Sequence, residues 1–204
     1  MLRLYRAEFS TNVERVALAL AHKGIEVESV WITYDDLAPV REVSGQDLVP
    51  VIDDDGTVVF DSTRILEDLD ARHPDAPLYP ADPARRAETS LLIDWFNRVW
   101  KVWPNAIEAE LARPEPDEQL IAGLGGEMTA ALDSFEALLA RRDFLLGDTL
   151  GAADCVVFPF VKYATGREQA DDELFHRVLD DFQAVGDRHR LAAWLKRMRS
   201  LPRV

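Results

Sequence analysis

Residues 73–83, HPDAPLYPADP, carry prolines at 74, 77, 80 and 83. Each proline fixes its own φ at about −65° and removes a backbone donor, so neither a helix nor a central strand runs through this stretch. The chain is therefore divided here, and its two sides read differently. Before the break, short apolar stretches rich in β-branched residues predict strands. After it, apolar residues recur at helical spacing and no convincing strand follows.

On the first side, LRLY reads as a strand, and Val13, Val16, Ala17, Leu20 and Ala21 then mark one face of a helix that ends at Gly24. VESVWI supplies a second strand. LVPVID, DDDG and TVVFD form strand, turn and strand, with Gly56 suited to the positive φ of a tight hairpin. STRILEDLDARHP is a short helix with Ile65, Leu66 and Leu69 inward, stopped by Pro74. The order is βαβ, an irregular or helical segment, then ββα. On the second side, Asp82 caps and Pro83 opens a long helix whose apolar stripe is Leu91, Leu92, Trp95, Phe96, Val99 and Trp103. Residues 117–141 form another, interrupted by GLGG at 123–126, where a kink or a close helix contact is expected. No strand precedes this GLGG, which argues against a dinucleotide loop. GAADCVVFPFVKYA and RLAAWLKRMRS are further helices, with a shorter one near 171–184. The predicted fold is α+β: a βαβ-ββα domain at residues 1–76, a linker at 77–82 and an all-helical domain at 83–204.

Composition narrows the function. Acidic residues outnumber basic ones 37 to 23, for a formal charge of −14. That disfavours nucleic acid and anionic membrane surfaces as partners, and an anionic ligand would need a local positive site. The absence of a run of 18 apolar residues and of a leader-like N-terminus predicts a soluble, cytoplasmic protein. The one cysteine, Cys155 in AADCVVFPF, excludes an intrachain disulfide and a CxxC pair and reads as an inert core thiol. The four histidines show no metal-ligand spacing, so no metal is expected.

Three features of the first domain carry candidate chemistry. In Ser10-Thr11-Asn12-Val13-Glu14, Thr11 and Glu14 match a capping box, which leaves Ser10 beside the free amides of a helix start, where an anion is stabilised. In LVPVI, Pro50 cannot donate to a sheet ladder, so Val49-Pro50 marks an edge, a bulge or a cis turn; in the cis case Val49 offers its backbone to an extended peptide-like ligand. In Asp61-Ser62, Ser62 is a credible N-cap, while helix-start amides with an adjacent acid also suit the carboxylate and ammonium of an amino-acid terminus.

In this order and spacing, STNVERVALALAHKGIEVE, LVPVIDDDGTVVFDSTRILEDLDARHP and LLGDTLGAADCVVFPF resemble the cytosolic glutathione transferases over nearly the whole chain. The resemblance implies a thioredoxin-like first domain and a helical second one. It matches Ser10 to the catalytic serine of theta-like and zeta-like classes, a donor to the glutathione thiol. It matches Val49 to the residue pairing with the cysteinyl backbone, Pro50 to the cis-proline, and Asp61 and Ser62 to the γ-glutamyl site. Leu48 departs from the basic or amide residue usual there, with Arg41 a substitute for the glycine carboxylate. Gly151 departs from the Ser or Thr that precedes Asp154 by three. On the helical side Asn97 and Trp100, off the main stripe, are the candidates for a substrate pocket. The implied activity is transfer of glutathione to small electrophiles, as in detoxification, by a homodimer. A glutathione-dependent isomerase, a peroxidase or a noncatalytic interaction module are the alternatives.

Overall fold

In the computed structural model, which describes residues 1–204, β1 (Leu2–Arg6), α1 (Thr11–His22), β2 (Glu28–Trp31), α2 (Ala38–Ser44), β3 (Val51–Asp54), β4 (Thr57–Phe60) and α3 (Ser62–Arg72) follow one another. The strands form one sheet in the order β2-β1-β3-β4. β1 runs parallel to β2 and antiparallel to β3, and β3 pairs antiparallel with β4. Period-two alternation sorts the side chains. Tyr5 and Val51 join Ile32 and the α2 residue Val40 in one buried cluster. Leu4 and Ile52, their neighbours in sequence, take the opposite face, where Val16 and Leu20 of α1 and Ile65, Leu66 and Leu69 of α3 are all fully buried. The expected α+β, thioredoxin-like arrangement is present, and the segment left irregular or helical is α2.

The start of the proline-rich stretch is fastened by a buried cation. Lys23 Nζ, at the end of α1, donates to Asp70 Oδ1 (3.0 Å), the carbonyl of His73 (2.8 Å) and that of Ala76 (3.2 Å). Asp70 Oδ1 also accepts from Leu78 N at 2.7 Å. Burying a lysine is costly unless its donors are met, and here they are.

The chain forms two compact units: Met1–Pro80 with Leu150–Pro159 and Leu201–Val204, and Ala81–Thr149 with Phe160–Ser200. The partition is thus not a single cut at the prolines. Most of α7 (Ala152–Val161) belongs with the first unit, where Ala152 N donates to the carbonyl of Leu78 at 2.8 Å and Arg15 Nε to that of Val156 at 3.1 Å. Asp154 Oδ2 accepts from Gly151 N at 3.1 Å, so the carboxylate half of a capping box survives without the Ser or Thr hydroxyl. Cys155, one turn in, has no exposure, and burial pushes its thiol well above the ordinary range, with Asp154 adding to the effect.

In the second unit α4 (Pro83–Trp95) begins with Asp82 Oδ1 accepting from Arg85 N at 2.9 Å, and leads through a π-turn, Phe96–Trp100, into α5 (Val102–Leu111). Lys101 N reaches back five residues to the carbonyl of Phe96 (3.0 Å). Pro104 accounts for the irregularity, because it has no N–H for the carbonyl of Trp100. α6 (Glu118–Leu138), α8 (Leu174–Asp181) and α9 (His189–Ser200) complete the unit. α6 passes through GLGG as one helix: a Cβ on Gly125 would lie 2.2 Å from Cδ1 of Phe182, whereas Gly123 and Gly126 face open space. The cluster thus contains one residue required for close approach and two that are not.

Gly123→Ala and Gly126→Ala are each expected to raise unfolding free energy by about 0.5–1 kcal/mol. Gly125→Ala is expected to lower it by about 1–3 kcal/mol through overpacking; urea denaturation of the three variants measures both signs. Cys155 is expected to resist iodoacetamide at neutral pH in the native protein and to react once the chain is unfolded, which mass spectrometry reads directly.

Candidate functional site

Strand register assembles the site. Tyr5 lies opposite Val51, and Val51 opposite Phe60, so the end of β1, the start of β3 and the end of β4 share one end of the sheet. A few residues beyond those ends lie Ser10, Val49-Pro50 and Asp61-Ser62.

At the first turn Phe9 adopts a left-handed φ of 58° and α1 begins. The N-cap is Ser10, whose Oγ accepts from Val13 N at 3.4 Å; Thr11, expected to be the cap, is instead the first helical residue and is buried. The cap uses the oxygen of Ser10 as an acceptor through a long bond and leaves its O–H proton available to donate. Ser10 is half-buried, as a group at the edge of a cleft would be. Glu14 Oε1 accepts from Arg203 Nη2 at 3.0 Å.

At the second turn the Val49-Pro50 peptide is cis. Val49 precedes β3, and neither its amide nor its carbonyl enters the sheet ladder or another backbone pair. Both groups therefore stand ready for a peptide-like partner. Just upstream, Gln46 spends its side chain on Leu48: Nε2 donates to the Leu48 carbonyl and Oε1 accepts from Leu48 N, each at 2.7 Å. Leu48 itself is 74% exposed. Arg41, in α2, pairs through Nε with Asp47 Oδ1 at 2.8 Å on the surface, and that contact holds the Asp47 carboxyl below its ordinary range.

At the third turn Asp61 is the N-cap of α3, a role the sequence offered to Ser62. Its Oδ1 accepts from Thr63 N (2.9 Å) and Arg64 N (3.1 Å), while φ 70° and ψ 118° put its backbone in a region that side chains other than glycine rarely enter. Oδ2 stays free for a cation. Ser62 is the first helical residue, buried, and its Oγ accepts from Arg15 Nη1 at 3.2 Å. The correction has a simple cause: a carboxylate can accept two amides where a hydroxyl accepts one, so Asp61 takes the cap and Ser62 turns to the arginine.

Arg15 went unremarked in the sequence because it falls between the apolar positions of α1. Only 2% of it is exposed, and burial pushes its guanidinium down to about 9 against the opposing pull of Asp61 and Cys155. The available signal was a charged residue in a helix whose positions 15 to 20 are otherwise apolar. A helix of this kind is covered on nearly all sides.

On the helical side, Asn97 is half-buried within the π-turn, a feature that recurs at functional sites. Trp100, expected at a pocket wall, is instead fully buried: its ring stacks on Phe96 (centroids 4.5 Å apart) and meets Phe160 edge-on at 6.1 Å. The end of the aromatic stripe that reaches open space is Trp95, which with Leu92, Phe135 and Leu138 lines a groove of about 620 Å³ flanked by Glu88 and Arg142. No cluster of three His, Cys, Asp or Glu residues suits a metal ion. No helix is long and apolar enough to cross a membrane.

Comparison with known proteins agrees with this geometry. Residues 4–77 match the N-terminal domain of glutathione S-transferase, and residues 118–197 match its C-terminal domain. The chain is 28% identical over 214 residues to a pyrimidodiazepine synthase of Drosophila melanogaster, covering all of this chain and 79% of that protein. It is also 28% identical over 172 residues to glutathione S-transferase GstB of Escherichia coli strain K12, covering 79% and 82%. A theta class glutathione S-transferase from Xanthomonas axonopodis pv. citri, solved with glutathione bound, shares the fold with a TM-score of 0.73 at 22% identity, over 98% of this chain and 93% of that one. The chain belongs to the glutathione S-transferase family, in which glutathione is the co-substrate.

Proposed function

We propose that the protein is a glutathione transferase in which Ser10 activates the thiol of bound glutathione for attack on small electrophiles. The observation that carries this proposal is the convergence of Ser10, with its proton free, on the same sheet end as an unpartnered Val49 backbone and the start of α3. In this arrangement Val49 pairs with the cysteinyl backbone, the hydroxyl and amide of Ser62 receive the γ-glutamyl carboxylate, and Asp61 Oδ2 receives its ammonium. Arg41, paired through Nε with Asp47, is the basic residue assigned to the glycine carboxylate. On the helical side Asn97 is the candidate residue for the electrophile, and Trp100 braces the π-turn from within. The protein functions as a cytoplasmic homodimer, as is usual for the family.

Magnitudes support a hydrogen bond as the activating element. A free thiol at about pKa 8.5 is only a few per cent ionised at neutral pH, and bringing it to about 6.5 requires about 2.7 kcal/mol of preference for the anion. A helix terminus supplies about 0.3–1 kcal/mol, whereas a hydrogen bond to a charged group supplies about 1.5–3 kcal/mol. The dipole of α1 is too small by itself. Ser10 Oγ–H donating to the sulfur, aided by first-turn amides, is the right size. Ser10 keeps its own proton throughout, so no base is needed beside it; the thiol proton leaves to solvent.

Calorimetry of glutathione binding in buffers of different ionisation enthalpy tests this. The wild-type protein is expected to release most of one proton per glutathione at neutral pH. Ser10→Ala is expected to bind within a few-fold as tightly and release almost none. Binding without proton release by the wild type would support an interaction module instead.

A further inference from the structure

We infer that Arg15, buried beneath the site and shut off from solvent, is the positioning residue that makes Ser62 a dedicated donor and so selects a ligand carboxylate at the start of α3. The inference rests on the glutathione-binding reading above and assigns a role to a residue outside the site's surface.

The geometry is specific. Arg15 leaves α1 one turn after Ser10, and its side chain reaches two anchors: Nε donates to the carbonyl of Val156 (3.1 Å) and Nη1 to Ser62 Oγ (3.2 Å). A guanidinium has donors and no acceptor. Once Nη1 occupies a lone pair of Ser62 Oγ, the hydroxyl cannot give its own proton back to the arginine. It must direct that proton elsewhere. Ser62 is the first residue of α3, and because Asp61 takes the amides of Thr63, Arg64 and Ile65, the amide left open at this positive helix end is that of Ser62 itself. The hydroxyl proton and the amide of Ser62 therefore supply two donors, one for each oxygen of a carboxylate.

Charge acts in the same direction. The chain carries a formal −14, so a doubly acidic peptide is repelled at long range unless a cation lies near its binding place. Arg15 is such a cation. Being 2% exposed, it is poorly screened by salt, unlike the surface pair of Arg41 with Asp47. The Asp61 carboxylate, next to Ser62 in sequence, favours the charged form of Arg15, which stays ionised at neutral pH although burial lowers it to about 9. Its tie to Val156 fixes the guanidinium plane, which a lysine ammonium would not do.

The test compares glutathione with 4-aminobutyryl-cysteinyl-glycine, the same peptide lacking the α-carboxylate of its first residue. Arg15→Lys keeps a buried positive charge and is expected to fold; circular dichroism and thermal melting verify this. For glutathione, Arg15→Lys and Ser62→Ala are each expected to raise Kd and KM about tenfold with kcat changed less than twofold. The double variant is expected to be no worse than Ser62→Ala alone, because the arginine acts through the serine. For the decarboxy peptide all four proteins should bind alike. Equal losses on both peptides, additive losses, or an Arg15→Lys affinity within twofold of wild type would each overturn the role given to Arg15. If Arg15→Lys does not fold, Ser62→Ala on the two peptides decides, since loss on both alike removes the donor that Arg15 is said to orient. Failure of the wild-type protein to bind glutathione would instead overturn the glutathione-binding reading and this inference with it.

Discussion

The antiparallel register of β1, β3 and β4 is the constraint from which the site follows. With Tyr5 opposite Val51 and Val51 opposite Phe60, turns that lie far apart in sequence, at Ser10 and Val49, or are separated by a hairpin, at Val49 and Asp61, are delivered to one end of the sheet. A slip of one residue would turn Leu4 and Ile52 to the wrong face and bring Tyr5 and Val51 into the α1–α3 layer. The apolar alternation that forms the core therefore also fixes the chemistry. Packing specifies the register, and the register specifies which loops meet.

The site consists mainly of backbone starts and short hydroxyls, and its charges are arranged around them. Ser10 and Asp61 close two helices, each at a residue following or occupying a positive φ. Such conformations cost on the order of 1–3 kcal/mol each and persist where the surroundings hold them. At Asp61 the two cap bonds and the start of α3 do so. Beneath them, Arg15 joins α1, α3 and α7 within the first unit, which gives a structural reason for Leu150–Pro159 to belong there. A protein with strong net negative charge thus keeps its local cation where solvent and salt reach it least.

Much of this was legible in the sequence, and the misses have physical causes. The strands, the helices and the hairpin at Gly56 follow from periodicity and from the limits that glycine imposes, whereas proline alone left an edge, a bulge or a cis turn open at Pro50 and the family resemblance pointed to the cis form. Cap assignment failed at both helix starts by one residue. Ser-Thr and Asp-Ser offer two adjacent acceptors, and the choice depends on what the neighbour binds: Thr11 is buried, and Ser62 is held by Arg15. That arginine's partners, Ser62 and Val156, lie 47 and 141 residues away, so no local pattern reveals them. Trp100 is core because it stands four residues after Phe96, a spacing that puts both on one helix face, and its ring stacks on that of Phe96. At GLGG the sequence left a kink or a close contact open, and neither Gly125 as the glycine in contact nor its partner Phe182 was legible.

If a neighbouring hydroxyl stabilises the glutathione sulfur as an anion, the ionisation of the bound thiol must differ from that of the free one. Ultraviolet absorbance of the thiolate, followed against pH in the wild-type complex with saturating glutathione, measures this without any choice of electrophile. A midpoint near about 6.5, some two pH units below an ordinary thiol, is the predicted result. A midpoint equal to that of free glutathione would contradict it, and the fold would then bind the peptide without activating it.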